Sequence, residues 1–240
     1  MFLYLLAFAI LGLPLLILYP FRWMGKRRRE GKRLIFVSNH FAVKDVFLLA
    51  LHSAGRFIRF IPKKEIVENN PFMASLVKGF EAVPIDRGKP DITAIKKILN
   101  LIKKDKPVGI FAEGTRNKTG EILQELLPGA VMFALKGKAE IQPSVFCRKA
   151  RLCRLNYALC GDPINFGELY DRKIDSEVLA EANAILRERM LELITVVRFY
   201  AKSPTKIKIT MRKDLNNPEI KIKDIMTKYG IEKLPTTITS

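Results

Sequence analysis

The chain is poor in the residues that staple or metallate small folds. Its 240 residues hold three cysteines, Cys147, Cys153 and Cys160, with no C-x-x-C pair. That excludes a disulfide framework and a structural zinc module. The three lie in or beside apolar runs, where cysteine serves as a small buried hydrophobe. Histidine is scarcer still: His40 and His52 are the two in the chain, so the search for a general base is short. No G-x-S-x-G nucleophile elbow occurs, and there is no internal repeat. Acids are also few, 24 against 42 lysines and arginines, for a net charge of +18. Such a balance implies anionic partners without separating nucleic acid, phospholipid and phosphorylated small molecules. With 48% hydrophobic and 28% charged residues the chain is not disordered, and 240 residues suffice for one domain with an appendage.

Met1–Phe21 contains no Asp, Glu, Lys, Arg or His. At about 1.5 Å per residue, a helix of this length matches the roughly 30 Å bilayer core. Gly12 and Pro14 allow a kink. A secretory signal has its basic residues before the apolar run; here Arg22, Lys26, Arg27, Arg28, Arg29, Lys32 and Arg33 follow it, opposed by Glu30 alone. The segment 1–21 is therefore expected to anchor the chain in a membrane. Segment 22–33 forms a basic juxtamembrane stretch, and the remainder lies on the cytoplasmic face. A membrane-tethered nucleic-acid binder would interleave aromatics with its cations, and Arg22–Arg33 offers only Trp23. The charge is spread more widely: residues 1–33 carry +6, Lys202–Ser240 carries +5 and the body +7.

Between residues 34 and 201, apolar runs at Leu34–Ser38, Phe57–Ile61, Ala82–Ile85, Val108–Ala112, Ile141–Cys147 and Leu155–Cys160 predict strands. Val46–His52, Phe72–Val77, Ile92–Lys103 and Ala130–Lys136 predict helices. In the third, Ile92, Ile95, Leu99 and Ile102 recur at spacings of three and four. A long helix, Ser176–Val197, follows a candidate N-cap at Asp175 or Ser176. Alternating strands and helices predict an α/β domain over 34–201, with a mostly parallel central sheet flanked by helices. The lysine-rich tail, 202–240, has β-prone pieces such as Lys206–Thr210 and no assignable fold.

The chemistry concentrates at strand ends, where α/β sheets bind ligands. His40 follows the strand Leu34–Ser38 and precedes a helix start at Asp45. From there Asp45 can accept the Nδ1–H, fixing the tautomer and leaving Nε2 as proton acceptor. His52, among apolar neighbours, reads as a helix-end residue. After Ala82–Ile85 come Asp86, Arg87 and Gly88, and after Val108–Ala112 come Glu113, Gly114, Thr115, Arg116 and Asn117. Arg87 and Arg116 carry planar guanidiniums suited to phosphate oxygens. Gly114 lets the backbone approach a ligand, and Glu113 can orient a hydroxyl or a cation.

In this order, Asn39-His40 with Asp45, Gly79 through Ile85-Asp86-Arg87, Phe111 through Arg116, and Pro143 resemble the glycerolipid acyltransferase family, in particular 1-acylglycerol-3-phosphate O-acyltransferases. The family pattern is N-H-x4-D, G-x-x-x-[IV]-x-R, F-P-E-G-T-R-S and a proline-containing apolar strand, and the resemblance covers about residues 32–166. Ala112 replaces the usual proline, Ala42 a frequent serine, and Lys44 is positioned to pair with Asp45. The resemblance implies transfer of a fatty acyl group from acyl-CoA or acyl carrier protein to the sn-2 hydroxyl of lysophosphatidic acid, by direct attack and without metal or cofactor. His40 would be the base and Asp45 its orienter. Arg87 and Arg116 would hold phosphate, with Glu113, Gly114 and Thr115 around the glycerol. Glycerol-3-phosphate or another lysolipid as acceptor, and a non-catalytic protein that binds anionic membrane phospholipid, remain the alternatives.

Overall fold

The computed structural model describes residues 10, 13–25, 33–52, 57–86, 88 and 91–233. Its centre is the strand β2, Leu34–Ser38, in which all five residues are buried. Leu34 and Phe36 face one side of the sheet, Ile35 and Val37 the other. A strand covered on both faces reads as a continuous apolar run, which is why this one is plain in the sequence. Around it lie β1 (Phe21–Gly25), β3 (Arg59–Phe60), β4 (Val108–Phe111), β5 (Glu140–Phe146) and β6 (Asn156–Cys160). The sheet order is β1-β6-β5-β2-β4-β3, and every pairing is parallel except β5 with β6. The mostly parallel sheet expected from the sequence is thus present. Pro143 does not interrupt β5: the ladder with β6 stops at Ser144 opposite Cys160, next to the residue that has no N–H.

Helices cover both faces. On one, α2 (Lys44–His52) lies over Leu34, Phe36, Phe60 and Phe146, and α1 (Leu13–Leu18) stands against α2. On the other, α5 (Ile92–Lys103), α6 (Gly129–Gly137) and α7 (Ser176–Lys202) bury Ile35, Val37, Val108 and Ile141. Two short helices, α3 (Lys64–Glu68) and α4 (Pro71–Gly79), link β3 to the segment before α5. The α5 stripe is rotated from the one expected: Ala94, Ile98 and Ile102 are buried, while Ile92 in the first turn is 62% exposed. Asp91 caps this helix by accepting from Ala94 N at 2.9 Å, and Asp175 caps α7 by accepting from Val178 N at 3.0 Å.

Three expectations are corrected. Ala82–Ile85 is not a strand of the sheet. It runs beside β3, with Val83 N donating to Phe60 O and Ile85 N to Pro62 O, and forms a single bridge, Lys63 to Ile85. Phe21 and Arg22, assigned to the anchor and the basic stretch, are sheet residues. β1 pairs with β6 over Phe21–Gly25, and the rings of Phe21 and Trp23 pack on Phe146. Among the described residues no helix is long and apolar enough to cross a membrane; residues 1–9, 11–12 and 26–32 lie outside the described residues. The tail is helical up to residue 228: α8 (Thr205–Asn216) contains the β-prone piece, and α9 (Ile222–Lys228) follows. Met211, Leu215, Ile222 and Ile225 enter the α5–α7 core, and Gly25 N donates to Asn216 Oδ1, so this segment packs on the domain.

Candidate active site

Parallel strands β2 and β4 end side by side, which brings the loops after Ser38 and after Phe111 to one edge of the sheet. The first loop is tied down on both sides of His40. Asn39 uses its amide as a strand residue would use its backbone: Nδ2 donates to Phe146 O at 3.1 Å, and Oδ1 accepts from Phe146 N at 2.8 Å. Asn117 N donates to His40 O at 2.7 Å.

Asp45 is buried in the first turn of α2, where a negative charge is favoured by the helix dipole. Its Oδ2 accepts from Phe41 N at 2.6 Å and Ala42 N at 2.7 Å, and lies 3.3 Å from His40 Nδ1. Two short bonds from backbone N–H groups to a carboxylate hold it firmly. These bonds fix the Asp45 carboxylate independently of its contact with the ring. Nδ1 is the ring nitrogen that faces Asp45, and a hydrogen carried there would leave Nε2 as the acceptor. Lys44 does not compete for the carboxylate: its ammonium lies 3.7 Å over the Tyr19 ring, joining the chain after α1 to α2.

The imidazole is also stacked. Phe111 lies against it with centroids 4.0 Å apart and planes 18° from parallel, and Phe60 stacks on Phe111 at 5.8 Å. This ladder depends on Gly109. A Cβ there would meet Ile58 Cγ2 at 2.6 Å and the Phe60 ring at 2.7 Å, so glycine lets Phe60 lie across β4 toward Phe111. The His40 side chain keeps 14% of its surface exposed, against 1% for Asp45.

Glu113 is the second buried acid, and its task is internal. Oε1 accepts from His40 N at 2.9 Å; Oε2 accepts from Gln124 N at 3.1 Å and Asn117 Nδ2 at 3.2 Å. Burial pushes its carboxyl above the ordinary value, opposed by those same donors. The sequence reading gave Glu113 to the substrate; the structure commits both of its oxygens to holding the His40 loop. Gly114 follows at φ +66°, the left-handed region that glycine occupies without strain, and its N–H closes a turn onto Phe111 O. The turn presents Thr115 and Arg116 at the surface. Among the described residues Arg116 makes no ion pair or hydrogen bond, so its guanidinium remains available.

Arg87 lies outside the described residues. The structure places its neighbour Asp86 just beyond Ile85, whose bridge to Lys63 sets this segment past the end of β3. Glu81, which sequence reasoning passed over, locks the segment. Nε and Nη2 of buried Arg59 reach its Oε2 at 2.8 and 2.6 Å, and the Arg59 bond holds its carboxyl below the ordinary value. Asn117 and Phe111 were named within their motif but given no role. The period-two face shared by Gly109 and Phe111 was the available sign for the latter. Ala112, where the family pattern has proline, donates its N–H to Ser38 O at 3.1 Å, a bond proline cannot make. Among the described residues no group of three or more His, Cys, Asp or Glu side chains is placed to hold a metal ion.

A family model described as Acyltransferase matches residues 22–147, just over half of the chain. The chain belongs to the acyltransferase family. Curated relatives include the 1-acyl-sn-glycerol-3-phosphate acyltransferase of Bacillus subtilis (strain 168), 32% identical over 112 residues, 47% of this chain and 54% of the relative. The protein of the same name from Cocos nucifera is 35% identical over 120 residues, 48% of this chain and 38% of that one. This acyltransferase-family chain spans about half the length, or less, of the curated relatives it matches. Its fold is similar to the crystal structure of the 1-acyl-sn-glycerophosphate (LPA) acyltransferase PlsC from Thermotoga maritima. The TM-score is 0.56 at 16% identity, over 77% of this chain and 73% of that one.

Proposed function

We propose that the chain moves a fatty acyl group from acyl-CoA or acyl carrier protein to the sn-2 hydroxyl of lysophosphatidic acid, yielding phosphatidic acid. The observation that carries this reading is the His40–Asp45 pair, held at one sheet edge beside the turn that exposes Arg116. An alcohol becomes a competent nucleophile when a base takes its proton, and a thioester is reactive enough for direct attack. His40 Nε2 takes the proton as the acceptor oxygen attacks the thioester carbonyl. The Asp45 carboxylate stabilises the imidazolium that forms. Collapse of the tetrahedral intermediate expels the thiolate, which recovers the proton from the imidazolium. No side chain is acylated on this route. Arg116, and Arg87 from the neighbouring segment, hold the acceptor's phosphate. The names of the relatives favour lysophosphatidate over other acceptors.

The acceptor and the phosphatidic acid formed from it are amphiphiles, so the reading places the chain at a membrane with its catalytic domain on the cytoplasmic face. The apolar run Met1–Phe21 and the cations after it support that placement. The test is a substrate panel with the purified full chain: lysophosphatidate, glycerol-3-phosphate and other lysolipids as acceptors, each with acyl-CoA and acyl carrier protein donors. Phosphatidic acid from lysophosphatidate at the highest kcat/KM is expected. Preference for glycerol-3-phosphate, or no transfer from either donor, contradicts the reading.

A further inference from the structure

A second basic element stands far along the chain from Arg22–Arg33. The loop from β5 to β6 reads Cys147-Arg-Lys-Ala-Arg-Leu-Cys-Arg-Leu155, four cations and no acid in nine residues. Arg148, Lys149, Arg151 and Arg154 are exposed and, among the described residues, none makes an ion pair. Leu152 and Leu155, between and beside them, are 56% and 40% exposed. Exposed leucines among unpaired cations are not how a soluble face is usually built.

The loop is firmly constructed. The Asn156 side chain accepts from Arg151 N at 2.8 Å and donates to the carbonyls of Arg154 and Arg151 at 2.7 and 3.0 Å. It is also joined to the N-terminal region: Cys153 N donates to Leu18 O at 2.7 Å, and Asn156 N to Pro20 O at 2.8 Å. Leu152 and Leu155 thereby belong to the same surface as α1, where Ile17 is 71% and Leu18 43% exposed. Topology sets the direction of this surface. β5 runs parallel to β2 and ends at Phe146, the residue that Asn39 grips, so the loop leaves the sheet at the edge that carries His40.

The geometry points to a membrane-docking face made of the β5–β6 loop and α1, its leucines and isoleucine entering the acyl boundary and its four cations meeting anionic lipid headgroups. It would turn the His40 edge toward the bilayer that holds the acceptor. Continuity with α1, itself the end of the apolar run Met1–Phe21, favours lipid over an acidic protein as the occupant. The consequence for catalysis rests on the lipid-acceptor reading above; the docking itself does not.

Flotation of the full chain with vesicles of phosphatidylcholine plus phosphatidylglycerol, and with phosphatidylcholine alone, tests it. A cation held near an anionic leaflet contributes about fivefold in affinity, so four together contribute up to roughly several hundredfold, and the R148Q/K149Q/R151Q/R154Q variant is expected to lose at least about tenfold in partition to the anionic vesicles. Binding to phosphatidylcholine alone should change little. L152S/L155S is expected to weaken binding to both. Turnover of detergent-dispersed acceptor and thermal melting should stay at the wild-type level in both variants, since all six side chains are exposed. Wild-type partition of the glutamine variant overturns the proposal. So does wild-type partition together with selective loss of transfer from an acyl carrier protein donor, which would make the loop a dock for that acidic protein. Reduced partition of the glutamine variant to the anionic vesicles, with no acyl transfer by the wild type, would uphold the docking face and count against the catalytic reading alone.

Discussion

The loops after β2 and β4 each bury one carboxylate that accepts from three nitrogens, yet the two acids serve different ends. Asp45 gathers the N–H groups of Phe41 and Ala42 and then meets the imidazole ring. Glu113 gathers His40 N, Gln124 N and the Asn117 amide, and holds the backbone on which that ring is mounted. Burial and the number of donors do not separate the two acids. What separates them is whether the carboxylate reaches a side chain that can carry a proton or only amides that cannot.

The comparison can be broken in graded steps. His40→Ala removes the proposed base outright and should lower kcat by about 10²–10⁴-fold or more with melting close to wild type. Asp45→Asn keeps the shape but loses the charge that stabilises the imidazolium. A loss of about 10²–10³-fold in kcat is expected, together with a small drop in stability from the weakened bonds of Phe41 and Ala42. Arg116→Ala should act differently again, raising the acceptor KM by about tenfold while kcat holds, because an exposed phosphate contact of this kind is made in the ground state too. Steady-state kinetics on the same preparations separates the three.

Glu113→Gln should show mainly in stability. An amide presents only one acceptor oxygen to the three donors, and a buried donor left unmade costs about 1–3 kcal/mol, measurable by denaturant melts. Its pH dependence sharpens the contrast. The folded pKa of Glu113 is raised, so its contribution to stability is fully present below the unfolded value and falls as pH rises through the folded one. The glutamine variant should flatten that part of the stability curve. Glu81, with a lowered folded pKa, has the opposite sign: its contribution is present above the unfolded value and lost as pH falls through the folded one. Being 51% exposed, it should give the smaller effect.

Much of this architecture is legible where burial on both faces leaves an unbroken apolar run, as in Leu34–Ser38, or where a helix has a clear cap, as at Asp91 and Asp175. β1 was hidden because Phe21–Gly25 straddles the border between an apolar and a basic segment, and only its pairing with β6 makes it a strand. In the tail, Ile207 and Ile209 alternate with lysines and read as a strand. The spacing that decides is Met211 to Leu215, four apart and both buried against the core. At the site, the His40–Asp45 pair could be read from its spacing, since both partners are side chains. The role of Glu113 could not, because two of its three donors are backbone N–H groups, which leave no mark on residue identity.

The most direct measurement is the rate of acyl transfer to lysophosphatidate by the His40→Ala chain, set against wild type at saturating acceptor and donor and with matched melting curves. Loss of at least about 10²-fold in kcat is the predicted result. A folded His40→Ala protein that turns over at the wild-type rate would show that the imidazole beside Asp45 is not the base.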